Sequence, residues 1–336
     1  MKTAVVILNY NGKAFLKQFL PAVIAHTPDA RIIVADNQSV DGSVEMLRQQ
    51  FPQVQLVINS DNEGYARGYN TALQQITADY YVLLNSDVEV TPGWLTPLIQ
   101  LLEANPQIAA CQPKLKDYHR KTHFEYAGGA GGFIDCWGYP FCRGRIFQEI
   151  EPDTGQYDDT RRVFWASGAC MVVRAQAYRQ LGGLDAAFFA HMEEIDLCWR
   201  LQNVGYEIYY CADSTVYHVG AGTLNPDNPR KTFLNFRNSL ITLYKNLPTS
   251  RLVRVIFIRL LLDGIAGATF LLQKKPHHCW AIVRAHIDFY KKIPFWMKQR
   301  QNTIRKKDGL EIVTYGQSIV WSFFIRKKKN FRALQF

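Results

Sequence analysis

The sequence predicts an α/β fold with a mostly parallel sheet flanked by helices, because short apolar runs alternate with helical patterns over the first hundred residues. The runs are rich in Val, Ile and Leu without polar alternation, as expected of parallel strands covered on both faces. They occupy residues 4–8, 31–35, 54–58 and 80–84. Helical spacing fills the gaps at 15–23, 42–50 and 65–76. This alternation predicts a doubly wound sheet.

Polar segments follow each of the four predicted strands. They are residues 9–12, 36–37, 59–64 and 85–87, with the sequences NYNG, DN, NSDNEG and NSD. In doubly wound sheets, ligands bind at the carboxyl ends of the strands. The sequence therefore predicts a ligand site at this edge of the sheet.

The pattern after residue 90 predicts further helices and strands around one irregular segment. Thr91 and Pro92 suit the N-cap and first position of a helix. Residues 125–160 are glycine-rich and then acidic, which predicts a mobile or substrate-facing loop. A strand at 170–174, a helix from Ala175, a helix around 194–204 and a strand at 206–211 follow.

The net charge of +10 over 336 residues divides unevenly along the chain. Residues 1–229 hold 17 Lys and Arg against 25 Asp and Glu, whereas residues 230–336 hold 22 against 4. Such asymmetry predicts a basic region that meets an anionic surface, either membrane or nucleic acid. The composition, with 20% charged and 13% aromatic residues, excludes a disordered chain.

The cysteines and the first residues exclude other classes. Seven scattered cysteines without a CxxC pair form neither a zinc knuckle nor a disulfide framework. The first apolar run is five residues long and ends at Asn9, so it predicts a buried strand and not a signal peptide. A cytoplasmic location is the expectation.

Residues 252–272 form an apolar stretch near the roughly 20 residues that span a bilayer. Arg254, Arg259 and Asp263 interrupt it, and each central charge costs roughly 2.5–3.5 kcal/mol on insertion scales. We therefore favour a helix in the membrane interface over a span. Basic clusters beside aromatic residues favour anionic lipid, namely Lys274-Lys275, Lys291-Lys292, Arg305-Lys306-Lys307 and 326–329, with Phe295-Trp296 and 321–324. The alternative is a core helix with a solvated charged face.

Several polar residues are candidates for nucleotide binding. Asp87 follows a predicted strand and could hold a divalent cation against phosphate oxygens. Asp36 could accept a hydrogen bond from a nucleobase, and Arg67 and Asn70 lie on the third helix, where Arg67 could reach a diphosphate. The alternatives are turn, cap and surface roles.

A second cluster lies at 191–200, where Glu193, Glu194 and Asp196 fall within one turn of a predicted helix start. One of them could be a general base, although carboxylates are also favoured there by the helix dipole. His218 precedes two glycines and is either structural or a neutral metal ligand facing Asp87.

Taken in order, these segments resemble the family-2 inverting glycosyltransferases with a GT-A fold, nearest the rhamnosyltransferase-like members that build bacterial surface polysaccharides. The resemblance covers roughly residues 3–245. The matching stretches are VVILNYNG (5–12), VADNQSVDGS (34–43), NEGYARGYN (62–70), LLNSDVEV (83–90), WASGACMVVRAQAYRQLGGLDAAFF (165–189), MEEIDLCWR (192–200) and VYHVGAG (216–222).

The resemblance implies a role for each site residue. Glu194 would be the base, with Glu193 in support and Asp196 as a third candidate, and Asp87 with His218 would bind Mn²⁺ or Mg²⁺. The residues expected in the nucleotide-sugar site are Asn9, Tyr10, Asn11, Asp36, Asn62, Gly64, Arg67, Asn85 and Ser86. Those expected to border the acceptor are Trp165, Gly168 and Ala169.

The resemblance also implies partners and organisation. The donor would be a dTDP- or UDP-linked sugar, and the acceptor a glycan or a polyprenyl-diphosphate-linked sugar at the inner face of the cell membrane. Nucleic acid is not an expected partner, and a homodimer is possible. We expect a catalytic domain at 1–229, with a nucleotide-sugar half at about 1–112 and an acceptor half at about 113–229. A helical, basic, membrane-associating region follows at 230–336.

Two departures from the family pattern leave a rival function open. The metal motif is Asn-Ser-Asp, with one carboxylate in place of two, and the base is Glu instead of Asp. The extra methylene moves the carboxylate by about one bond, and misplacement of about 1 Å can cost ~10²-fold in rate. The rival is a non-catalytic nucleotide-sugar-binding or scaffold protein. A nucleotidyltransferase should show an early glycine-rich phosphate loop, and a dinucleotide oxidoreductase a GxGxxG motif; the chain has only NYNG.

Overall fold

A computed structural model describes residues 2–220, 228–304 and 312–336. Ala221, Gly222, Arg305, Lys306 and Lys307, which belong to segments named above, lie outside the described residues. The strands are β1 (Thr3–Asn9), β2 (Ala30–Asp36), β3 (Gln55–Ile58), β4 (Tyr80–Asn85), β5 (Val88–Val90), β6 (Ile108–Asp117), β7 (Gly132–Ile134), β8 (Pro140–Cys142), β9 (Arg145–Ile146), β10 (Glu149–Ile150), β11 (Arg161–Val163), β12 (Cys170–Arg174) and β13 (Glu207–His218).

The helices alternate with the strands at first and dominate the last third of the chain. They are α1 (Lys13–Ala25), α2 (Ser43–Gln50), α3 (Gly64–Gln74), α4 (Leu95–Ala104), α5 (Ala175–Gln180), α6 (Glu193–Asn203), α7 (Pro229–Asn246), α8 (Thr249–Leu272), α9 (Pro276–Lys291), α10 (Ile293–Asn302) and α11 (Ile319–Phe324). Short 3₁₀ turns lie at Ala186–Phe188 and Arg332–Leu334.

The main sheet runs β11-β13-β6-β12-β4-β1-β2-β3, with β5 paired to β13. β1 pairs in parallel with β2 and β4, and β2 with β3, so the four predicted strands are confirmed as one parallel block. β12 is antiparallel to both β4 and β6. Helices cover both faces of the sheet, and α1 buries Leu16, Phe19, Leu20 and Val23 as its spacing predicted.

The helix expected at Thr91 begins four residues later, at Leu95. Thr91 Oγ1 donates instead to the Thr215 carbonyl at 2.8 Å, so its side chain fixes β13 and does not cap a helix. A turn through Gly93, whose φ of +71° favours glycine, separates the two positions. The last strand of the sheet is also longer than expected, because β13 runs on to His218.

The prediction of a loop at 125–160 is wrong, because this segment forms a second sheet. β7, β8, β9 and β10 pair antiparallel in the order β10-β9-β8-β7. Its buried Phe133 packs against Phe331 and Phe336 at centroid distances of 5.0 and 4.6 Å. Because Phe331 and Phe336 lie far from Phe133 in the sequence, the local sequence pattern did not predict this sheet.

The helical region continues the core of the α/β part. One hydrophobic cluster contains sheet residues such as Val173 together with Leu243, Val255, Ile319 and Phe331. The change of composition near residue 230 therefore coincides with a change from strands to helices within a shared core. The division into 1–229 and 230–336 stays a prediction.

α8 turns two of its charged residues inward, whereas Arg251 and Arg254 are exposed. Arg259 and Asp263 are buried and pair at 3.3 Å, and Asp263 accepts hydrogen bonds from Tyr139 at 2.8 Å and His286 at 3.1 Å. Protein groups therefore satisfy these two charges, and the insertion cost assigned above would apply to them only if α8 left these contacts and crossed a bilayer. Among the described helices, α8 alone is long and apolar enough to cross a membrane by length and composition.

Candidate active site

The carboxyl ends of β1, β2 and β4 meet, as the doubly wound sheet requires. Asn9 lies opposite Asp36 in register, and Leu8 lies opposite Asn85. The Asn9 amide donates to Asp36 Oδ2 at 2.8 Å and to the Ser39 and Ser43 hydroxyls at 3.1 and 3.0 Å. Asn9 and Asp36 are both fully buried, so in this structure they position the surrounding loops and do not reach the surface.

The exposed groups of this loop cluster are Tyr10 and Asn11. Tyr10 is 51% exposed, and Asn11 has a left-handed backbone with φ of 53°. The Asn11 backbone N–H donates to Ser39 Oγ at 2.9 Å, and the Asn11 side-chain oxygen accepts from the Val40 backbone N–H at 2.8 Å. Base contact by Tyr10 and Asn11 therefore stays a prediction that the geometry permits.

The start of α3 lies beside the loop that precedes α6. Gly64 has φ of +79°, and a Cβ atom there would lie 2.6 Å from the Phe189 ring, so both backbone and space require glycine. Asn62 Oδ1 accepts from the Gly64 amide at 3.1 Å. Arg67 is exposed and pairs with Glu63 at 3.0 Å, a surface ion pair of low energy that a ligand phosphate could replace.

Asp87 and His218 come together because β5 and β13 pair, with His218 opposite Val88. His218 Nε2 lies 3.2 Å from Asp87 Oδ1 and 3.4 Å from Asn85 Nδ2. Ser86 lies between Asn85 and Asp87 in the sequence. His218 Nδ1 lies 3.2 Å from Glu125 Oε1. Burial would lower the pKa of His218, but Glu125 and Asp87 outweigh it and raise that pKa to about 10.

This donor set fits a divalent cation that a diphosphate helps to hold. A carboxylate and an imidazole converge at a strand end, and Mg²⁺ takes few protein ligands when phosphates supply the rest. Because the raised pKa keeps His218 protonated at neutral pH without metal, a cation bound there would displace that proton. No group of three His, Cys, Asp or Glu side chains forms a complete cage in the part of the chain that the structure describes.

Glu125 was not predicted from the sequence. It is 4% exposed, and its Oε2 accepts from the Ala127 amide at 2.5 Å while Oε1 faces His218. A carboxylate behind a ligating histidine fixes the ring and its tautomer. Glu125 lies in the glycine-rich segment that was expected to be a loop, where no local signal distinguished it.

Glu193 and Glu194 open α6, after three residues with left-handed backbone: Phe189, His191 and Met192, with φ of 65°, 70° and 75°. Glu193 is buried and Glu194 is partly buried. Burial and the charge of Glu194 raise the pKa of Glu193 well above its usual range. Burial raises the pKa of Glu194 to about 7.

Tyr65 lies between the Glu193–Glu194 pair and the strand ends. Its hydroxyl donates to the Gly168 carbonyl at 2.7 Å, and the Asn85 amide donates to the Ala169 carbonyl at 2.9 Å. Burial raises the pKa of Tyr65 well above its usual range, and the charges of Glu193 and Glu194 add to that shift. The candidate base, the Gly168-Ala169 turn and the metal-binding end of β4 are therefore neighbours.

Asp196 does not belong to this group. It is fully buried and accepts from Arg200 Nε at 2.7 Å, Lys245 Nζ at 3.0 Å and Asn246 Nδ2 at 2.9 Å. Burial alone would raise its pKa, but Lys245 and Arg200 lower it. Its proposed catalytic role is corrected to a structural one, since Lys245 and Asn246 tie α6 to α7.

Trp165 likewise is a core residue. It is 4% exposed, its indole nitrogen donates to the Phe133 carbonyl at 2.9 Å, and its ring lies where a Cβ on Gly132 would be, 2.1 Å from the nearest ring atom. The expectation that it borders an acceptor sugar is therefore wrong for this structure. Gly168 is connected to the Glu193–Glu194 pair through Tyr65.

The arrangement suits displacement at a sugar carbon. A partly buried carboxylate with a pKa near neutrality can take a proton at pH 7. A carboxylate and an imidazole that could hold a cation are nearby, where negative charge on a leaving diphosphate would develop. A mostly parallel sheet that carries Asp87 and His218 at its edge has the architecture of the GT-A class of glycosyltransferases.

The chain belongs to the glycosyl transferase family 2, whose model matches residues 4–182, more than half of its length. It is accordingly a glycosyltransferase. The assignment of both fold and family from the sequence is confirmed.

Two bacterial relatives are rhamnosyltransferases. The N-acetylglucosaminyl-diphospho-decaprenol L-rhamnosyltransferase of Mycobacterium tuberculosis is 27% identical over 244 residues, which cover 66% of this chain and 78% of the relative. The rhamnosyltransferase WbbL of Escherichia coli is 24% identical over 213 residues, covering 61% and 79%.

Two solved structures share the fold. The mannosyltransferase PcManGT from Pyrobaculum calidifontis, in complex with GDP-Man and Mn²⁺, has a TM-score of 0.52 at 14% identity and covers 89% of this chain and 84% of its own. TarS of S. aureus, in complex with UDP-GlcNAc, has a TM-score of 0.55 at 12% identity with the same coverage.

Proposed function

We propose that this chain is a metal-dependent inverting glycosyltransferase that moves rhamnose or a similar sugar from a dTDP- or UDP-linked donor. The acceptor would be a polyprenyl-diphosphate-linked sugar in cell-surface polysaccharide synthesis. The observation that carries the proposal is the Asp87–His218 pair at the strand ends, which Gly168-Ala169 and Tyr65 connect to Glu193 and Glu194 at the start of α6. Burial raises the pKa of Glu194 to about 7.

Glu194 would take the proton from the acceptor hydroxyl as its oxygen attacks the anomeric carbon. The bond from that carbon to the diphosphate oxygen breaks on the opposite face, so configuration inverts without a covalent enzyme adduct. Asp87 and His218 would hold Mn²⁺ or Mg²⁺, which supplies Lewis-acid stabilisation to the departing diphosphate when bound. Gly168 and Ala169 would border the acceptor, and Tyr10 and Asn11 the base.

The choice of acceptor rests on the relatives and on the helical region. The Mycobacterium tuberculosis relative is named for a diphospho-decaprenol substrate. In this chain α8 exposes large apolar side chains on the face opposite Arg259 and Asp263; they include Val253, Phe257, Leu261 and Ile265, exposed by 80, 58, 51 and 63%.

This face supports a helix lying in the interface. The inner face of α8 packs on α7 and α9, with Val255 buried. Arg259 and Asp263 contact Gly138 and Tyr139 in the connection between β7 and β8. A span would remove these contacts and leave Arg259 and Asp263 in lipid. We therefore propose that the enzyme is peripheral to the inner face of the membrane, with nearby lysines meeting anionic headgroups. Of the aromatic residues beside the basic clusters, Phe295 and Trp321 are exposed, whereas Trp296 and Phe323 are buried in the core.

A donor screen tests the proposal. The purified protein is incubated with Mn²⁺ and each of dTDP-rhamnose, UDP-glucose and UDP-N-acetylglucosamine, and released nucleotide diphosphate is measured. We expect turnover of one donor that is lost in a Glu194→Gln protein. Donor binding without any turnover, alone or with a polyprenyl-linked acceptor, would favour the scaffold role instead.

A further inference from the structure

A cavity of about 620 Å³ lies between α7 and α9, next to the loop that leads into α6. Its wall contains three arginines, Arg230, Arg237 and Arg284, and three aromatic residues, Phe189, Phe233 and Trp280. Apart from the contact of Phe189 with Gly64, none of these residues takes part in the candidate active site.

The positive charge at this cavity is only partly neutralised by carboxylates of the described residues. Arg237 lies 3.8 Å from Asp288 and donates to the carbonyls of Ala187 and Phe188, each at 3.2 Å. Arg230 and Arg284 form no ion pair with any carboxylate among the described residues. Their guanidinium groups lie over the Phe189 and Phe233 rings, at 4.9 and 5.6 Å from the centroids. Planar guanidinium groups that converge in this way suit phosphate oxygens.

The cavity adjoins the candidate catalytic carboxylates. Phe189 forms part of the wall, and its carbonyl accepts from the Tyr65 amide at 2.7 Å. The buried Asn238 of α7 donates to the carbonyls of Phe188, Ala190 and His191 at 3.1, 2.9 and 2.8 Å. Asn238 therefore holds in place the loop that joins Phe189, in the cavity wall, to the start of α6.

The exposed face of α9 is both charged and apolar. Trp280, Val283, Arg284 and Ile287 recur at the spacing that places side chains on one helix face. Trp280, Val283 and Ile287 are 57, 40 and 41% exposed. A ligand that fills the cavity and follows this face needs an anionic group and an apolar chain together. A phosphopeptide or nucleic acid would not use the apolar part.

We propose that the cavity between α7 and α9 binds the diphosphate of a polyprenyl-diphosphate-linked acceptor, with its isoprenoid chain lying along the exposed face of α9 toward the membrane. The inference rests on the proposed function for the identity of the acceptor. It assigns the diphosphate of the acceptor to a subsite separate from Asp87 and His218, which serve the donor.

The test measures binding of farnesyl diphosphate to the full chain by calorimetry, without added divalent metal so that the donor site contributes least. The R230A/R284A variant is compared with K274A/K298A, which loses the same charge at exposed positions of the helical region. We expect a loss of roughly tenfold or more in affinity for R230A/R284A, from two charge-assisted contacts, and wild-type affinity for K274A/K298A. An R230K/R284K protein, which keeps the charge, should bind with intermediate affinity.

Three results would overturn the inference. They are unchanged affinity in R230A/R284A, an equal loss in K274A/K298A, and equal binding of inorganic diphosphate and farnesyl diphosphate by the wild type. The last result would mean that the apolar face takes no part. Donor turnover is measured separately, so a chain that binds farnesyl diphosphate at this cavity yet hydrolyses no donor would contradict the proposed function alone.

Discussion

Replacing Glu194 with Gln should stabilise the protein while it abolishes sugar transfer. Burial holds the pKa of Glu194 at about 7, against a usual value of 4.5. Because the folded-state pKa is raised, the stability contributed by this group is fully present below pH 4.5 and is lost as the pH rises to about 7. Each unit of difference is worth about 1.4 kcal/mol, so the loss approaches about 3 kcal/mol at pH 8.

Gln removes the ionisation and keeps nearly the same volume. We therefore expect the Glu194→Gln protein to be more stable than the wild type by up to about 3 kcal/mol at pH 8, and about as stable at pH 4.5. Transfer should fall by about 10²- to 10⁴-fold, the usual contribution of a general base. The wild-type kcat/KM should rise with pH to a plateau above about 7, since only the ionised carboxylate accepts the proton.

Urea unfolding at pH 4.5 and pH 8 measures the first effect, and the pH dependence of kcat/KM measures the second. An Asp29→Asn protein, altered at an exposed position, is the matched control and should show neither effect. Equal stability of Glu194→Gln and the wild type at pH 8 would refute the argument from burial. Full transfer by the variant would refute the assignment of the base.

Three further outcomes follow from other contacts. Asp196→Ala should lower the free energy of unfolding by roughly 3–5 kcal/mol, because it breaks the buried ion pairs of Asp196 with Arg200 and Lys245; urea titration that shows a change below about 1 kcal/mol would contradict this. Glu125→Gln should weaken Mn²⁺ binding about 10- to 100-fold through His218, and calorimetric titration with unaltered affinity would count against the metal site. The double variant Phe257→Glu/Leu261→Glu should reduce co-sedimentation with phosphatidylglycerol vesicles at least roughly 30-fold, and equal sedimentation would exclude α8 as the contact face.

Much of the first half of the fold could be predicted, because its order is local. Strand β1 and helix α1 depend on apolar periodicity within a dozen residues, and both lie where the sequence indicated. The second sheet depends on Phe331 and Phe336, some two hundred residues away, so nothing near Phe133 indicated it.

The site was predictable in position more than in role. Asp87 and His218 lie at the edge that strand order predicts, and Glu194 lies at the start of α6. Their roles stay predictions. Asp196 resembled them in sequence, and only its pairing with Lys245, 49 positions away, reveals a structural carboxylate. Conversely Glu125 has no motif around it, and its contact with His218 follows from tertiary folding alone.

The bracing of the α6 start by α7 bears on how this protein can be divided. Asn238 satisfies three carbonyls of the loop before Glu193, and Lys245 and Asn246 satisfy Asp196. A chain that ended at residue 229 would lose the Asn238 amide from those carbonyls and would lose Lys245 and Asn246 from Asp196, which would keep Arg200. It would also open the shared core. The α/β part and the C-terminal helices therefore depend on each other for folding. A variant that no longer binds lipid has to be made by altering the exposed face of α8 and not by truncation.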